Sequence, residues 1–585
     1  MEQTFVIKHG PSATESFAAR ELSRYLLSSV GISPLLEGEG DTFFIGRVNG
    51  MARPEIKEDG YVIRSVPGGL SIIGSNDRGT LYGVYHFLEE FLGCRFLTPD
   101  VELVPKHPEF TVPKGVDIQE EPAFAFRENQ WFELTDSSRD MRRNIDFSAK
   151  MNNLGSMDHL DEEHGGNVVY PGTHTFNTLC PREVYFKDHP EYYSMVNGER
   201  IYDNNQLCLT NPDVLQIVTE NLKKTIRECK NPYQIYFAVA QNDWYNECEC
   251  PACAAIDEEE GSHAGTVIRF VNAVAEAIEP EFPWVIVDTL AYQYTRTAPL
   301  KTKPRHNVVV RICTIESCLS HPMRTCQELN CTFAGRENNF LSDVLKKNKV
   351  LPLNKDMADW GKICTHYNCW TYVTNFAFYM APVPNLWELA DNFRFFKENG
   401  ITDLRLQGNR QSISCEMGSL RAYISAKLLW NPDRDTDMLI REFCNGYYRS
   451  AAAPIMAYLK MINDAAAQPG VHAGLYDAPW NAEYLRPELM EKAAEYFEQA
   501  KIMADDEDVL WRVKKAEMSV RFVRMVQRFR DGVAREDAEK EMAAFCQEAN
   551  REYGVTYMSE LGGYPTDPLA ESARNVLNNV YRDRK

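Results

Sequence analysis

Three patterns of apolar and polar positions succeed one another along the chain. Over residues 1–120 short apolar runs alternate with helical stripes, which predicts a small α/β domain. Thr4 to Lys8, Thr42 to Ile45, Gly60 to Arg64 and Leu70 to Ile73 read as strands. Ser12 and Glu15 have capping-box spacing ahead of a stripe of Ala18, Leu22, Tyr25 and Leu26. A second helix follows Asn76-Asp77-Arg78-Gly79, carries Val84, Phe87, Leu88, Phe91 and Leu92 on one face, and stops at Gly93. No cluster of titratable residues converges in this domain, so it reads as a non-catalytic appendage.

Over residues 121–430 strands and helices alternate, with eight strand candidates. These are Phe124 to Glu128, Leu154 to Met157, Gln206 to Leu209, Ile235 to Ala240, Trp284 to Leu290, Val308 to Ile312, Thr365 to Thr371 and Asp403 to Gln407. Val267, Ile268, Val271, Val274, Ala275 and Ile278 make one of the intervening helical faces. Eight parallel strands with helices between them predict a closed (β/α)8 TIM-like barrel of ~250–300 residues. An open doubly wound sheet is the alternative, but its Gly-rich phosphate-binding turn is missing. Residues 431–585 then predict a helical domain, with Leu489, Ala493, Tyr496, Phe497 and Ala500 in one stripe and Val520, Val523, Met525, Val526 and Phe529 in another.

Candidate chemistry lies at the strand ends, where a parallel barrel presents its catalytic groups. The run Ile235 to Ala240 stops at Gln241-Asn242-Asp243. Other strand ends or flanking turns supply Arg127, His174, Tyr292, Tyr294, Glu316, His321, Trp370, Tyr372, Asn375, Asn409 and, a little further on, Glu416. Carboxylates, amides and aromatic faces with few basic groups fit glycoside hydrolysis, which needs a carboxylic acid, a second group to support positive charge, and surfaces for sugar stacking. Asp243, Glu316 and Glu416 are the candidate catalytic carboxylates. Each has a structural alternative: Asp243 can cap the next segment, Glu316 can pair with Arg311 or Arg324, and Glu416 can charge the N-terminus of a helix near Gly418.

Composition narrows the partners. A net charge of −21 over 585 residues disfavours nucleic acid and anionic membranes, so a neutral glycan is the expected partner. No leader or membrane-spanning run is read at the sequence level, and 16 scattered cysteines favour reduced thiols, so the expected location is the cytoplasm, or outside it if a leader has been removed. Cys248-x-Cys250-x-x-Cys253 resembles half of a zinc site with His263 as the nearest further ligand, against surface thiols or a loop-closing disulfide. No metal or other cofactor is assigned. Glu162-Glu163-His164 reads as a solvated loop.

The order of parts carries a resemblance. GTLYGVYHFLEEFLGCRFL, then QNDWYNECECPAC, then ITDLRLQGN and EMGSLRAYISAKLLWNP resemble bacterial proteins of a domain of unknown function, part of which is similar to glycoside hydrolase family 163. That resemblance implies endo-β-N-acetylglucosaminidase activity on N-glycans. The N-terminal domain is similar to the one preceding the barrel in family 20 hexosaminidases and family 67 α-glucuronidases. Family 20 closes strand four with Asp-Glu, and the matching positions here are Asn242, which would hold the substrate's acetamido group, and Asp243, which would be the acid. The rivals are an exo-glycosidase on another sugar such as a uronic acid, for which Arg127 or Arg410 would supply a cationic subsite, and a carbohydrate-binding protein with a degenerate barrel.

Overall fold

A computed structural model describes residues 4–135, 141–170, 172–327, 332–333, 336–337, 351–560 and 567–584. The chain forms two compact units: Met1–Asn167 with Val373–Phe393 and Gln407–Lys585, and Val168–Tyr372 with Arg394–Leu406. Among the described residues no helix is long and apolar enough to cross a membrane.

In the first unit, strands β1 (Phe5–His9), β2 (Asp41–Ile45), β3 (Tyr61–Val66), β4 (Gly69–Gly74) and, after an antiparallel pair β5 (Arg95–Thr98) and β6 (Val101–Leu103), β7 (Asp117–Glu120) build one sheet in the order β1-β2-β4-β3-β7. β1, β2 and β4 run parallel, and β3 is antiparallel to both its neighbours. Helix α1 (Ala13–Val30) begins with the capping box expected from its sequence: the Ser12 hydroxyl accepts the Glu15 amide, and Glu15 accepts the Ser12 amide, each at 3.1 Å. It ends at Gly31 with φ +84°, a left-handed turn that glycine adopts at no steric cost. Helix α2 (Asp77–Phe91) is capped by Asn76, and Val84, Phe87 and Leu88 are buried as the stripe requires.

The same unit holds β8 (Phe126–Gln130) and the helices that follow Met417, among them Gly418–Trp430, Pro487–Met503 and Glu507–Asp531. The Gly418–Trp430 helix is almost wholly buried, and its last residue stacks on Tyr61 with ring centroids 5.7 Å apart. In Pro487–Met503 the buried stripe is Met490, Ala493, Phe497 and Ala500, so Met490 takes the place expected for Leu489.

The second unit carries the antiparallel pair β9 (Met195–Val196) and β10 (Glu199–Arg200), then β11 (Tyr236–Ala238), β12 (Ile286–Ala291) and β13 (Val308–Cys313). After the short pair β14 (Thr332–Phe333) and β15 (Arg336–Glu337) come β16 (His366–Tyr372) and β17 (Asp403–Gln407). The main sheet has the order β11-β12-β13-β16-β17, with β11 to β16 paired in parallel. Helices Pro212–Glu228 and Ala264–Ile278 bury Val214, Val218, Leu222, Val267, Val271 and Val274 in one core with Phe237 and Val287 of the sheet. β11 and β13 are apolar runs, as strands covered on both faces should be.

The result is a curled parallel half-barrel, and a closed ring of eight strands is not found among the described residues. Two strand candidates fail. Leu154 makes a single antiparallel bridge to Arg127, after which the chain turns at Gly155 so close to Glu128 that a Cβ would lie 2.5 Å from its Cγ. Leu207 likewise makes only one isolated antiparallel bridge, to Tyr193, among the described residues. At Glu162-Glu163-His164, expected as a solvated loop, Glu162 is exposed, but His164 is fully buried, held by Asp161 at Nδ1 (2.6 Å) and Asp146 at Nε2 (2.9 Å).

Candidate active site

The end of β11 is built by amides. Gln241, buried, donates from Nε2 to the Tyr292 carbonyl at 3.0 Å and accepts the Thr295 hydroxyl at 2.6 Å, which ties it to the turn after β12. Gln206 accepts the Asn242 amide at 2.9 Å and donates to the carbonyls of Asn242 and Trp244 at 2.9 and 2.6 Å. The backbone on either side of Asp243 is therefore held by the Gln206 side chain, while the Gln241 side chain ties the strand end to the turn after β12.

Asp243 itself projects outward and is exposed. Its Oδ1 accepts the Tyr292 hydroxyl at 2.9 Å and lies 3.5 Å from Gln293 Nε2. His174 joins this group: Nδ1 contacts the Gln241 carbonyl at 2.8 Å, and its ring centroid is 5.9 Å from that of Tyr292. Trp244, next in sequence, is 46% exposed, an unusual position for an indole and a ready face for a sugar ring. Sequence reasoning passed over Trp244, although an aromatic residue directly after a strand-end carboxylate was the available signal.

Asn242 has a different place from the one its sequence position suggests. Its Oδ1 accepts the Asn177 amide at 3.0 Å and its Nδ2 donates to the Asn205 carbonyl at 2.9 Å. Both ends of the amide thus brace the loop. Tyr294 is buried, its ring 6.0 Å from that of His263, and burial pushes its phenol well above the usual range.

Glu316, just beyond β13, is buried. Its Oε2 accepts from Arg296 at 2.8 Å, while Arg296 also donates to Asp356 at 2.9 Å. The partner is neither Arg311, which pairs with Asp288, nor Arg324, which pairs with Glu398. Burial pushes Asp356 up to about 6 against the opposing charge of Arg296. Oε1 of Glu316 has no hydrogen-bond partner among the described residues. His321 sits 3.4 Å from both Cys318 Sγ and Ser320 Oγ. At the end of β16, Trp370 and Tyr372 lie nearly parallel with centroids 6.3 Å apart, and the guanidinium groups of Arg405 and Arg311 lie 4.7 and 5.6 Å from the Trp370 ring.

The remaining sequence candidates belong to the first unit. Glu416 is buried with both oxygens engaged, Oε2 by Arg421 at 2.6 Å and Oε1 by the Tyr458 hydroxyl at 3.0 Å. Arg127 is fully buried and donates to Asp59 and to the carbonyls of Asn152, Phe124 and Ala125. Burial opposes the Asp59 charge, but Arg78 and Arg127 outweigh it and hold the carboxyl below its usual range. The Arg127 guanidinium is thus taken up by protein partners. Asn375 receives the Ala377 and Phe378 amides and donates to the Asp477 carbonyl, and Asn409 donates to the Ser412 carbonyl. These contacts make turns. Asp158, also in this unit, is held largely protonated: burial pushes it up to about 8 and the Glu128 charge adds, while neither carboxylate oxygen has a hydrogen-bond partner among the described residues.

Residues 96–460 match the family described as domain of unknown function (DUF4838), and residues 2–87 match the glycosyl hydrolase family 67 N-terminus. A stretch of 285 residues is 26% identical to a Beta-hexosaminidase of Porphyromonas gingivalis, spanning 45% of this chain and about a third (33%) of that relative's length. The fold resembles that of a family GH115 4-O-methyl-α-glucuronidase with specificity for decorated arabinogalactans (TM-score 0.54, 12% identity, 99% of this chain and 79% of that one). It also resembles a family 89 glycoside hydrolase from Clostridium perfringens (TM-score 0.52, 10% identity, 92% and 66%).

Proposed function

We propose that this chain, which belongs to the DUF4838 family, is a glycosidase that cleaves a β-linked N-acetylglucosamine-containing glycan, retaining and endo-acting on N-glycans, with Asp243 as its general acid. The observation that carries the reading is the exposed Asp243 carboxylate, held through Oδ1 by Tyr292 at the end of a parallel strand beside the exposed face of Trp244. The N-acetylglucosamine part rests on the hexosaminidase likeness, and the endo activity on the family 163 resemblance.

In this scheme a sugar stacked on Trp244 covers Asp243 and brings the glycosidic oxygen to its carboxyl group. Asp243 gives its proton to the glycosidic oxygen as the C1–O bond breaks. The substrate's acetamido oxygen closes on C1, and a water then opens that intermediate and returns a proton to Asp243. No bond to the enzyme forms. Glu316 is the second carboxylate: Arg296 fixes one oxygen and the other is not engaged by the described residues, whereas both oxygens of Glu416 are taken.

The test is turnover of a complex N-glycopeptide followed by mass spectrometry. Release of glycan leaving one N-acetylglucosamine on the peptide supports the reading, and an intact glycopeptide contradicts it. A second reading, an exo-glycosidase on a uronic acid, is favoured by the guanidinium groups of Arg405 and Arg311 beside Trp370 and by the family 67 N-terminal match. Hydrolysis of an aryl glucuronide with no action on the glycopeptide would favour it.

A further inference from the structure

The loop that follows Asp243 carries three of four buried cysteines that come together in the second unit. Cys248, Cys250 and Cys253 are joined by Cys208, forty residues before the first of them in sequence. All four sulfurs lie within 4.8 Å of one another, and Cys208 and Cys250 are 3.7 Å apart. A disulfide needs ~2.05 Å, so this pair is not bonded. Four thiolates at ~2.3 Å from a central ion stand at the corners of a tetrahedron whose edges are ~3.8 Å, close to the spacing seen. His263, the fourth ligand suggested by the sequence, is instead held by Asp257 at 2.6 Å, with Glu247 at 3.8 Å.

The surroundings suit charged sulfur. The Met195 amide and an Arg200 N–H each point at Cys248 Sγ from 3.5 Å, and the Thr210 hydroxyl lies 3.3 Å from Cys253 Sγ. Backbone amides and a guanidinium directed at sulfur offset part of the negative charge that four thiolates around a divalent ion would leave. An all-sulfur, closed, tetrahedral set selects a soft ion with no geometric preference of its own and leaves no position for substrate.

We propose that Cys208, Cys248, Cys250 and Cys253 form a structural zinc site that staples the loop after β11 to the segment carrying Gln206. Gln206 already clamps the backbone of Asn242 and Trp244, so the ion would lock the same two segments together a few residues further on. Zinc binding displaces the four thiol protons to solvent, with no change of oxidation state.

The experiment is elemental analysis of the full chain by plasma mass spectrometry, beside Cys208→Ser and Cys253→Ser. The expected result is about one zinc per wild-type chain and its loss in both variants. Because the variants can fold poorly, wild-type protein is also stripped with a chelator, and an aryl-disulfide reagent should then titrate about four additional thiols. Refilling the stripped protein with cobalt should give the intense visible bands of tetrahedral thiolate coordination. A chain purified without stoichiometric metal, iron in place of zinc, disulfides mapped among these cysteines, or zinc retained in both variants would each overturn the proposal. Metal content and thiol counts do not depend on any glycosidase activity, so this test stands apart from the proposed reaction.

Discussion

The hydroxyl of Tyr292 donates to Oδ1 of Asp243 at 2.9 Å, joining the turn after β12 to the loop after β11. The bond is made across adjacent parallel strands, where Gln241 fixes the Tyr292 backbone from the other side. One carboxylate oxygen is thereby oriented while the residue stays open to solvent. That combination suits a group that must meet a substrate in one pose.

Tyr292→Phe should therefore lower kcat by roughly 10-fold or more, a part of the ~10²–10⁴-fold that a positioned acid supplies. In an Asp243→Asn background the same change should add almost nothing, because the two side chains act as a unit. Steady-state kinetics of the four proteins measure this directly. Additive losses would place Tyr292 outside the acid's support.

Trp244→Ala should raise KM for a glycan several-fold with a smaller effect on kcat, the pattern of lost stacking worth about 1 kcal/mol. Thermal unfolding should hardly move, since the indole is 46% exposed and buries little. A large fall in melting temperature would make Trp244 a packing residue.

Glu316→Gln and Glu416→Gln should separate. The first should lose activity by about 10²-fold or more while the protein stays folded. The second should cost stability, because Arg421 is left as a buried charge without its counter-ion, with activity kept in the folded fraction. Melting curves and specific activity measured on the same preparations decide the matter, and the reverse pattern would move the second carboxylate to Glu416.

Asp158 makes the protein's stability depend on pH. Its native carboxyl titrates at about 8 rather than near its ordinary 3.8, so the folded chain binds this proton more tightly than the unfolded chain does. The contribution is complete below about pH 3.9 and is lost as pH rises through 8. Asp158→Asn should flatten that slope and raise stability relative to wild type at pH 9. Denaturant melts at pH 5, 7 and 9 test it, and an unchanged slope would contradict the assignment.

Local signals in the sequence carried well into the structure. The Ser12–Glu15 box, the α2 stripe and the apolar runs of β11 and β13 each depend on residues close in the chain. What was not legible depends on partners far apart. Nothing near Asn242 announces that Asn177 and Asn205 occupy its amide, and nothing near Glu316 singles out Arg296 over Arg311. Cys208 lies in a segment that reads as a strand, so its place beside the three later cysteines could not be seen from spacing. The strand candidates at Leu154 and Leu207 failed for a related reason: a short apolar run cannot distinguish a ladder from a single bridge followed by a turn.

The most direct test of the central claim is the dependence of Asp243→Asn on the leaving group. Wild type and variant are compared on an N-glycopeptide, whose sugar leaving group needs a proton, and on the same released glycan, ending in N-acetylglucosamine, carried as its dinitrophenyl β-glycoside, whose leaving group does not. If Asp243 is the general acid, the variant loses about 10²-fold or more on the glycopeptide and keeps most of its rate on the activated substrate. Equal losses on both substrates, or none on either, would contradict that role.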